Sequence, residues 1–195
     1  MTGQAQHRPR IRHPGSMSAP LPPPRYPDET GEPYCICLVC LGNICRSPMA
    51  EVVLRHEASA IGLAGRLAID SAGTAADVGF EIDRRARRAL ERRGYGPLSH
   101  RGCQFQPAWL NERDLVVAME NSHVRWLENR ASKTGRTARV RLLRSYPTGR
   151  AGQSGSLDIP DPWYGDEAEF ESCLDLVQAG CAALLGELAA ELSAS

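Results

Sequence analysis

Residues 39–48 form a short loop between an apolar segment and the start of a helical pattern, and this loop contains glycine and cysteine. Residues 34–39 are almost all apolar, which predicts a strand buried on both faces. Ser47 as the N-cap, followed by Pro48 at the first helical position, is typical of a helix start, and we expect a helix over residues 47–60. A loop between a strand and a helix directs its backbone N–H groups and the positive end of the helix dipole towards one point. The sequence therefore predicts a site for a dianion such as phosphate in this loop.

The side chains of this loop are suited to chemistry on a bound phosphate ester. Cys40 begins the loop, where converging amides, a helix N-terminus and a guanidinium favour its thiolate and make it a nucleophile. Arg46 ends the loop, and its planar fork can hold two phosphoryl oxygens at once. Gly42 and Asn43 tolerate tightly curled backbone, and the Ser47 hydroxyl can donate to the thiolate. The Cys-x5-Arg spacing alone is weak evidence, because a chain with seven cysteines and many arginines also produces it by chance.

The string from Cys40 to Glu51 resembles the signature of the low-molecular-weight protein tyrosine phosphatases. The resemblance continues at residues 70–74, 99–100, 117–119 and 161–165, and it covers roughly residues 34–192. It implies a four-stranded sheet flanked by helices and the hydrolysis of phosphotyrosine through a phosphocysteine intermediate on Cys40. It also implies that the phosphate is bound by the rest of the loop, namely Leu41, Gly42, Asn43, Ile44, Cys45, Arg46 and Ser47.

A thiolate that attacks a phosphate ester needs an acid to protonate the departing oxygen. Asp161 is the candidate, because two prolines stiffen its loop and the following Trp163 and Tyr164 could wall a pocket for a flat aromatic ring. The resemblance implies that Asp161 is the general acid in the first step and the base that activates water in the second. Asp158, three residues earlier, could be argued from composition alone but does not match the motif.

The resemblance also predicts roles for several other residues. Cys45 matches a cysteine that can form a reversible disulfide with the nucleophile and protect it from over-oxidation. Ile44 matches the residue of members selective for phosphotyrosine, and His100 matches a position that braces the loop by hydrogen bonds. Two positions depart from the pattern: Leu67 replaces an aromatic that lines the pocket in several members, and Glu120 stands where aspartate is usual.

The rest of the chain alternates predicted strands with predicted helices. We expect strands at residues 66–71, 114–119 and 140–143, and helices at residues 83–94, 121–129 and 167–192. This alternation predicts an α/β, doubly wound, Rossmann-like or flavodoxin-like parallel sheet, whose ligands bind at the carboxyl ends of the strands. Residues 1–33 hold eight of the fourteen prolines, so we expect a disordered Pro/Arg-rich tail before a phosphatase domain at residues 34–195.

Composition narrows the choice of partners and compartment. The 23 basic and 23 acidic residues cancel, which gives no indication of a nucleic-acid or membrane partner, and the arginines of residues 84–93 are expected to form a solvated helix face. Seven cysteines without a disulfide framework are typical of reduced thiols in the cytoplasm, and no second Cys-x-x-Cys or histidine pair completes a metal site. Together with the resemblance, this predicts a cytoplasmic monomer without cofactor or metal that acts on phosphotyrosine-containing proteins.

Two other functions stay open at this point. An arsenate reductase shares the fold and the anion loop but needs a relay of further cysteines, and Cys103 is the only cysteine between residues 45 and 173. A catalytically silent phosphotyrosine-binding module would keep the loop without turnover. The joint presence of Cys40, Arg46 and Asp161 argues against this silent module.

Overall fold

Four parallel strands form the centre of the computed structural model, which describes residues 32–96, 99–134, 139–147 and 155–193. The strands are β1 (Tyr34–Cys40), β2 (Leu67–Gly73), β3 (Leu115–Ala118) and β4 (Arg139–Leu142). Their spatial order is β2-β1-β3-β4, and each neighbouring pair is parallel, which confirms the predicted doubly wound α/β fold. The predicted tail lies outside the described residues except for its last two positions.

Helices flank the sheet, and β1 divides the core between its two faces. The helices are α1 (Arg46–Ala60), α2 (Arg84–Arg92), α3 (Asn121–Thr134) and α4 (Glu167–Ser193). Ile36, Leu38 and Cys40 belong to the core cluster that includes side chains of α1, α2 and α4, whereas Cys37 and Val39 belong to the cluster that includes α3. This alternation is the burial on both faces that the apolar run predicted.

The first helix begins one residue earlier than its sequence pattern predicts. α1 starts at Arg46 after Cys45, whose side chain makes no capping hydrogen bond. The expectation that Ser47 caps the helix was wrong, because its hydroxyl lies 3.0 Å from Cys40 Sγ instead. Pro48 is the third residue of the helix, where its missing N–H removes no helical hydrogen bond because first-turn N–H groups have no intrahelical acceptor.

The last helix is apolar because it completes the core. The stretch Glu167–Glu191 of α4 is long and apolar enough, by length and composition only, to cross a membrane. Phe170, Leu174, Val177 and Leu184 are completely buried in the core cluster that also contains α1. Packing inside the domain therefore accounts for the hydropathy of this helix.

The arginines of α2 face the start of α4. Arg88 and Arg92 pair with Glu167 at 3.1 and 3.2 Å, and Arg93 pairs with Glu171 at 2.7 Å. Part of the expected solvated face is therefore an interhelical ion-pair array. Exposed pairs of this kind contribute little energy each, but together they fix the entry of α4 beside α2.

Leu67 lies at the end of the sheet opposite to Cys40. It is the first residue of β2 and pairs with Tyr34, whereas Cys40 pairs with Gly73 at the other end. Its side chain is buried in the core. The expectation that Leu67 takes a place in the substrate pocket was wrong, so this departure from the family pattern does not change the pocket wall.

Candidate active site

The loop after β1 lies where neighbouring strands also end. Cys40 pairs with the last residue of β2, and Val39 pairs with Ala118, the last residue of β3. The segment that carries Asp161 reaches the same edge, because Ile159 N donates to Met119 O at 2.8 Å. The topology therefore brings Cys40 close to a carboxylate that follows it by more than a hundred residues.

The backbone carbonyls of the loop are turned outward. The carbonyls of residues 40–44 all accept hydrogen bonds of 2.7–3.0 Å from outside the loop, in order from Thr74 N, Ala75 N, Asp77 N, His100 Nε2 and Asp83 N. In a planar peptide unit the C=O and the following N–H point in opposite directions, so the N–H groups of residues 41–45 face the inside of the loop. Asn43 completes the curl with a φ of 58°. The loop is a nest of donors for an anion.

A short hydrogen-bond chain directs the Ser47 hydroxyl towards the nucleophile. Asn43 Oδ1 accepts from Cys103 N at 2.8 Å, which fixes the amide, and Asn43 Nδ2 donates to Ser47 Oγ and Ser71 Oγ at 2.9 Å each. Ser47 Oγ accepts this bond and keeps its own proton, for which a Cys40 thiolate at 3.0 Å is a nearer acceptor than Ala72 O at 3.4 Å. The backbone N–H of Asn43 lies 3.3 Å from the same sulfur. Both donors favour a thiolate.

Arg46 is buried and joins the loop to two carboxylates. Its Nη1 donates to Glu120 at 2.7 Å and to Ile159 O at 3.1 Å, and its Nη2 donates to Asp161 at 2.5 Å. Within the described part of the chain, Arg46 Nε has no hydrogen-bond partner. The guanidinium stays charged in the interior because the carboxylates compensate it, and it retains a donor for an incoming anion.

The candidate acid faces this guanidinium, and its rival is engaged elsewhere. Asp161 Oδ2 accepts from Arg46, and its Oδ1 accepts from Trp163 N at 3.2 Å. Asp158 Oδ1 instead accepts from the backbone N and the Nδ2 of Asn121, at 2.7 and 2.8 Å, and so caps α3. Of the two aspartates, Asp161 has the geometry for chemistry at the anion site.

Exposed apolar side chains flank the anion loop. Leu41 belongs to the anion loop, and Phe80 belongs to the segment whose N–H groups donate to the carbonyls of that loop. Trp163 and Tyr164 belong to the acid loop, residues 159–165, which carries Asp161. The exposed fractions of these four side chains run from 42% to 96%. Exposed apolar groups gathered at one place mark interaction sites. This rim suits a flat aromatic ring attached to the bound anion.

Cys45 is the second thiol of the loop. Cys45 is buried, and burial together with nearby Asp83 raises the pKa of its thiol well above the ordinary value. Cys40 and Cys45 are both free thiols in the structure. Their reversible disulfide stays a prediction. Among the described residues, no group of three or more His, Cys, Asp or Glu side chains is placed to hold a metal ion.

Glu120 links the guanidinium to a buried histidine. Its Oε1 lies 3.6 Å from Nε2 of His123, a residue that is 2% exposed. Neither ring nitrogen of His123 has a hydrogen-bond partner in the described ranges. Burial lowers the pKa of His123 to about 4, although the Glu120 carboxylate acts in the opposite direction. His123 is therefore neutral at neutral pH.

We expect this histidine to make folding stability depend on pH between 6.5 and 4. In that window the imidazole of the unfolded chain binds a proton and the folded one does not, so the free energy of unfolding falls as the pH falls. The loss attributable to His123 amounts to roughly 3 kcal/mol at most. Urea unfolding across the window should show it, and His123→Leu should flatten the slope. Equal slopes in wild type and variant would contradict a buried neutral His123.

The sequence-predicted site residues are brought together. Three further residues of the site, Glu51, Ser71 and His123, were not predicted from the sequence. Ser71 Oγ, which accepts from the Asn43 side chain, donates in turn to Glu51 Oε2 at 2.6 Å, so this chain of hydrogen bonds ends on a carboxylate. Both residues lie in segments already matched to the family, but their contact depends on the pairing of β1 with β2. His123 was missed because a single histidine in a predicted helix carries no signal of burial beside a charge cluster.

The chain resembles proteins of one phosphatase family. The chain matches the family model for "Low molecular weight phosphotyrosine protein phosphatase" over residues 35–194. It is 46% identical over 153 residues to a low molecular weight protein-tyrosine-phosphatase of Streptomyces coelicolor, covering 78% of this chain and 92% of that protein. It is also 38% identical over 149 residues to low molecular weight protein-tyrosine phosphatase A of Mycobacterium tuberculosis, covering 76% and 87%.

Solved structures with the same fold include two bacterial proteins. YfkJ from Bacillus subtilis aligns with a TM-score of 0.74 and 31% identity, covering 83% of this chain and 98% of that one. The tyrosine phosphatase Wzb from Escherichia coli, in complex with sulphate, aligns with a TM-score of 0.67 and 28% identity, covering 80% and 99%.

Proposed function

The chain belongs to the low-molecular-weight phosphotyrosine protein phosphatase family and hydrolyses phosphotyrosine, and we propose that Cys40, Arg46 and Asp161 carry out the reaction. The observation that carries this assignment is the 2.5 Å contact between Arg46 Nη2 and Asp161 Oδ2 beside the Cys40 loop. It supports the proposal because Cys40, Arg46 and Asp161 then lie together at one donor-lined anion site, as a nucleophile, a phosphate clamp and an acid must.

In the first step the Cys40 thiolate attacks phosphorus opposite the ester oxygen. The P–S bond forms while the P–O bond breaks, and the Asp161 carboxyl gives its proton to the departing phenolate oxygen. The N–H groups of residues 41–45 and the fork of Arg46 hold the three remaining phosphoryl oxygens as charge builds on them. Arg46 exchanges its contact with Asp161 for the phosphoryl group, which leaves this carboxyl to the leaving group.

In the second step a water molecule attacks the phosphocysteine. Asp161, now ionised, takes the water's proton while the P–S bond breaks. Inorganic phosphate leaves, and the thiolate of Cys40 is restored with the Ser47 hydroxyl still donating to it. Every group used in the two steps is a side chain or a backbone amide of this chain.

The substrates are phosphotyrosine-containing proteins, and we place the enzyme in the cytoplasm as a monomer. Its seven cysteines are all free thiols, which supports this location because a reducing compartment keeps thiols reduced. The nucleophile, clamp and acid all come from one chain, so the proposed reaction needs no second subunit. The family assignment concerns residues 35–194, which agrees with a single phosphatase domain after the N-terminal tail.

Asp161→Ala tests the assignment of the acid. We expect kcat/KM for a phosphotyrosine peptide to fall by about 10²–10³-fold, because the phenolate then leaves unprotonated. On dinitrophenyl phosphate kcat/KM should fall much less, since the leaving group of this substrate is stable as an anion. Asp158→Ala is the matched control and should stay within about threefold of wild type on both substrates. Equal losses of Asp161→Ala on the two substrates would show that Asp161 is not the acid.

A further inference from the structure

Arg85, near the start of α2, lies against the back of the acid loop. Its Nη1 donates to Gly165 O at 2.9 Å. The guanidinium carbon lies 5.7 Å from the ring centre of Trp163 and 4.6 Å from that of Phe170. The side chain thus holds the acid loop by a hydrogen bond and by contact with an aromatic face.

The same guanidinium is tied to the anion loop through Asp83. Arg85 Nε and Nη2 donate to the two carboxylate oxygens of Asp83 at 3.1 Å each. Although burial acts in the opposite direction, these hydrogen bonds lower the pKa of Asp83. The backbone N–H of Asp83 donates to Ile44 O at 2.8 Å, one of the outward carbonyls of the anion loop. A continuous set of contacts therefore runs from Ile44 to Gly165.

The acid loop is short enough for this hold to reach its carboxylate. Gly165 N donates to Pro162 O at 2.9 Å, which closes a tight turn. Trp163 N donates to Asp161 Oδ1 at 3.2 Å, which ties the carboxylate to that turn. A displacement of Gly165 or Trp163 would therefore move Asp161.

Only one of the two ties between the loops is compatible with a bound substrate. The Arg46–Asp161 contact must be given up when phosphate occupies the fork of Arg46, and this is the moment at which Asp161 must sit at the leaving oxygen. The Arg85 contacts touch neither the fork nor the phosphate site. We infer that Arg85 is a positioning residue, which keeps the acid loop closed and Asp161 aimed while substrate holds Arg46. The inference rests on the proposed role of Asp161.

The test compares two leaving groups in matched variants. Arg85→Met removes the donors but keeps an apolar stem over Trp163, and Arg88→Met removes a neighbouring α2 ion pair that does not touch the acid loop. Phenyl phosphate needs a proton on its leaving oxygen, whereas dinitrophenyl phosphate does not. We expect Arg85→Met to lower kcat/KM by about tenfold on phenyl phosphate and by less than about threefold on dinitrophenyl phosphate, with Arg88→Met unchanged on both.

A double-mutant cycle separates positioning of the acid from general damage. In an Asp161→Ala background, Arg85→Met should cause no further loss on phenyl phosphate, because there is no acid left to position. Arg85→Lys keeps the charge and a single donor group, so its kcat/KM on phenyl phosphate should lie between those of wild type and Arg85→Met. If circular dichroism shows that Arg85→Met does not fold, Arg85→Lys replaces it in the same test.

Three results would overturn the inference. The first is an equal loss on the two substrates in a folded Arg85 variant, and the second is an Arg85 effect that persists without Asp161. The third is an Asp161→Ala enzyme that shows no leaving-group dependence, which would remove the proposed acid and the inference together. If Asp161→Ala behaves as expected and the Arg85 variants do not, only the role of Arg85 fails.

Discussion

Cys40→Ser is expected to abolish hydrolysis of phosphotyrosine peptides, with a loss in kcat of at least about 10⁴-fold. The inward N–H groups, which include the backbone N–H of Asn43, and the Ser47 hydroxyl all favour a thiolate at this position. A serine hydroxyl is too weak an acid to ionise there, so the attacking anion is missing. The measurement is steady-state turnover of a phosphotyrosine peptide and of an aryl phosphate.

The controls for this variant separate chemistry from folding. Cys35→Ser changes a thiol at the other end of β1 and should keep wild-type kcat within about threefold. Cys40→Ser should still bind inorganic phosphate, because the amide nest and Arg46 remain. Turnover by Cys40→Ser above about 1% of wild type would contradict nucleophilic catalysis by this residue.

Arg46→Lys is expected to lower kcat/KM by about 10²–10³-fold although it keeps the positive charge. The guanidinium reaches Glu120, Ile159 O and Asp161 from two nitrogens and has a further donor at Nε. A lysine ammonium is a single point of charge and cannot hold two phosphoryl oxygens in the same geometry. Because the fork acts mostly on the transition state, kcat should fall more than KM rises.

Arg113→Lys is the matched control for this charge-conserving change. Arg113 donates through two nitrogens to Asp70 on β2, so the substitution removes a comparable fork that does not contact Cys40 or Asp161. It should cost some stability and leave kcat/KM within about threefold of wild type. An Arg46→Lys enzyme with nearly wild-type kcat would show that the fork is not the phosphate clamp.

The anion loop could be predicted because all of its signals are local. The apolar run, the Cys40 to Arg46 loop and the helix start lie within one short stretch, and each fixes backbone geometry on its own. The error at Ser47 has the same origin. Serine commonly caps helices, but the Ser47 hydroxyl contacts Cys40, which the loop brings back to it, and the N-cap is Cys45, two positions earlier.

The parts that could not be predicted depend on register and on distant segments. The end of the sheet at which Leu67 lies follows from the pairing of β2 with β1, which its own sequence does not specify. Arg85 contacts Gly165, 80 residues further along the chain, and in the sequence it is one of several arginines on a helix. Contacts of this kind appear only when the packing of α2 against α4 is known.

The most direct test of the proposed mechanism is whether the phosphoryl group passes through Cys40. Asp161→Ala lacks the base for the second step, so it should accumulate the intermediate when mixed with dinitrophenyl phosphate and denatured rapidly. Mass spectrometry of its peptides should then find one phosphoryl group on Cys40, and none anywhere when Cys40→Ser is added. Burst release of dinitrophenolate without phosphorylated Cys40, or a phosphoryl group on another residue, would contradict the phosphocysteine mechanism.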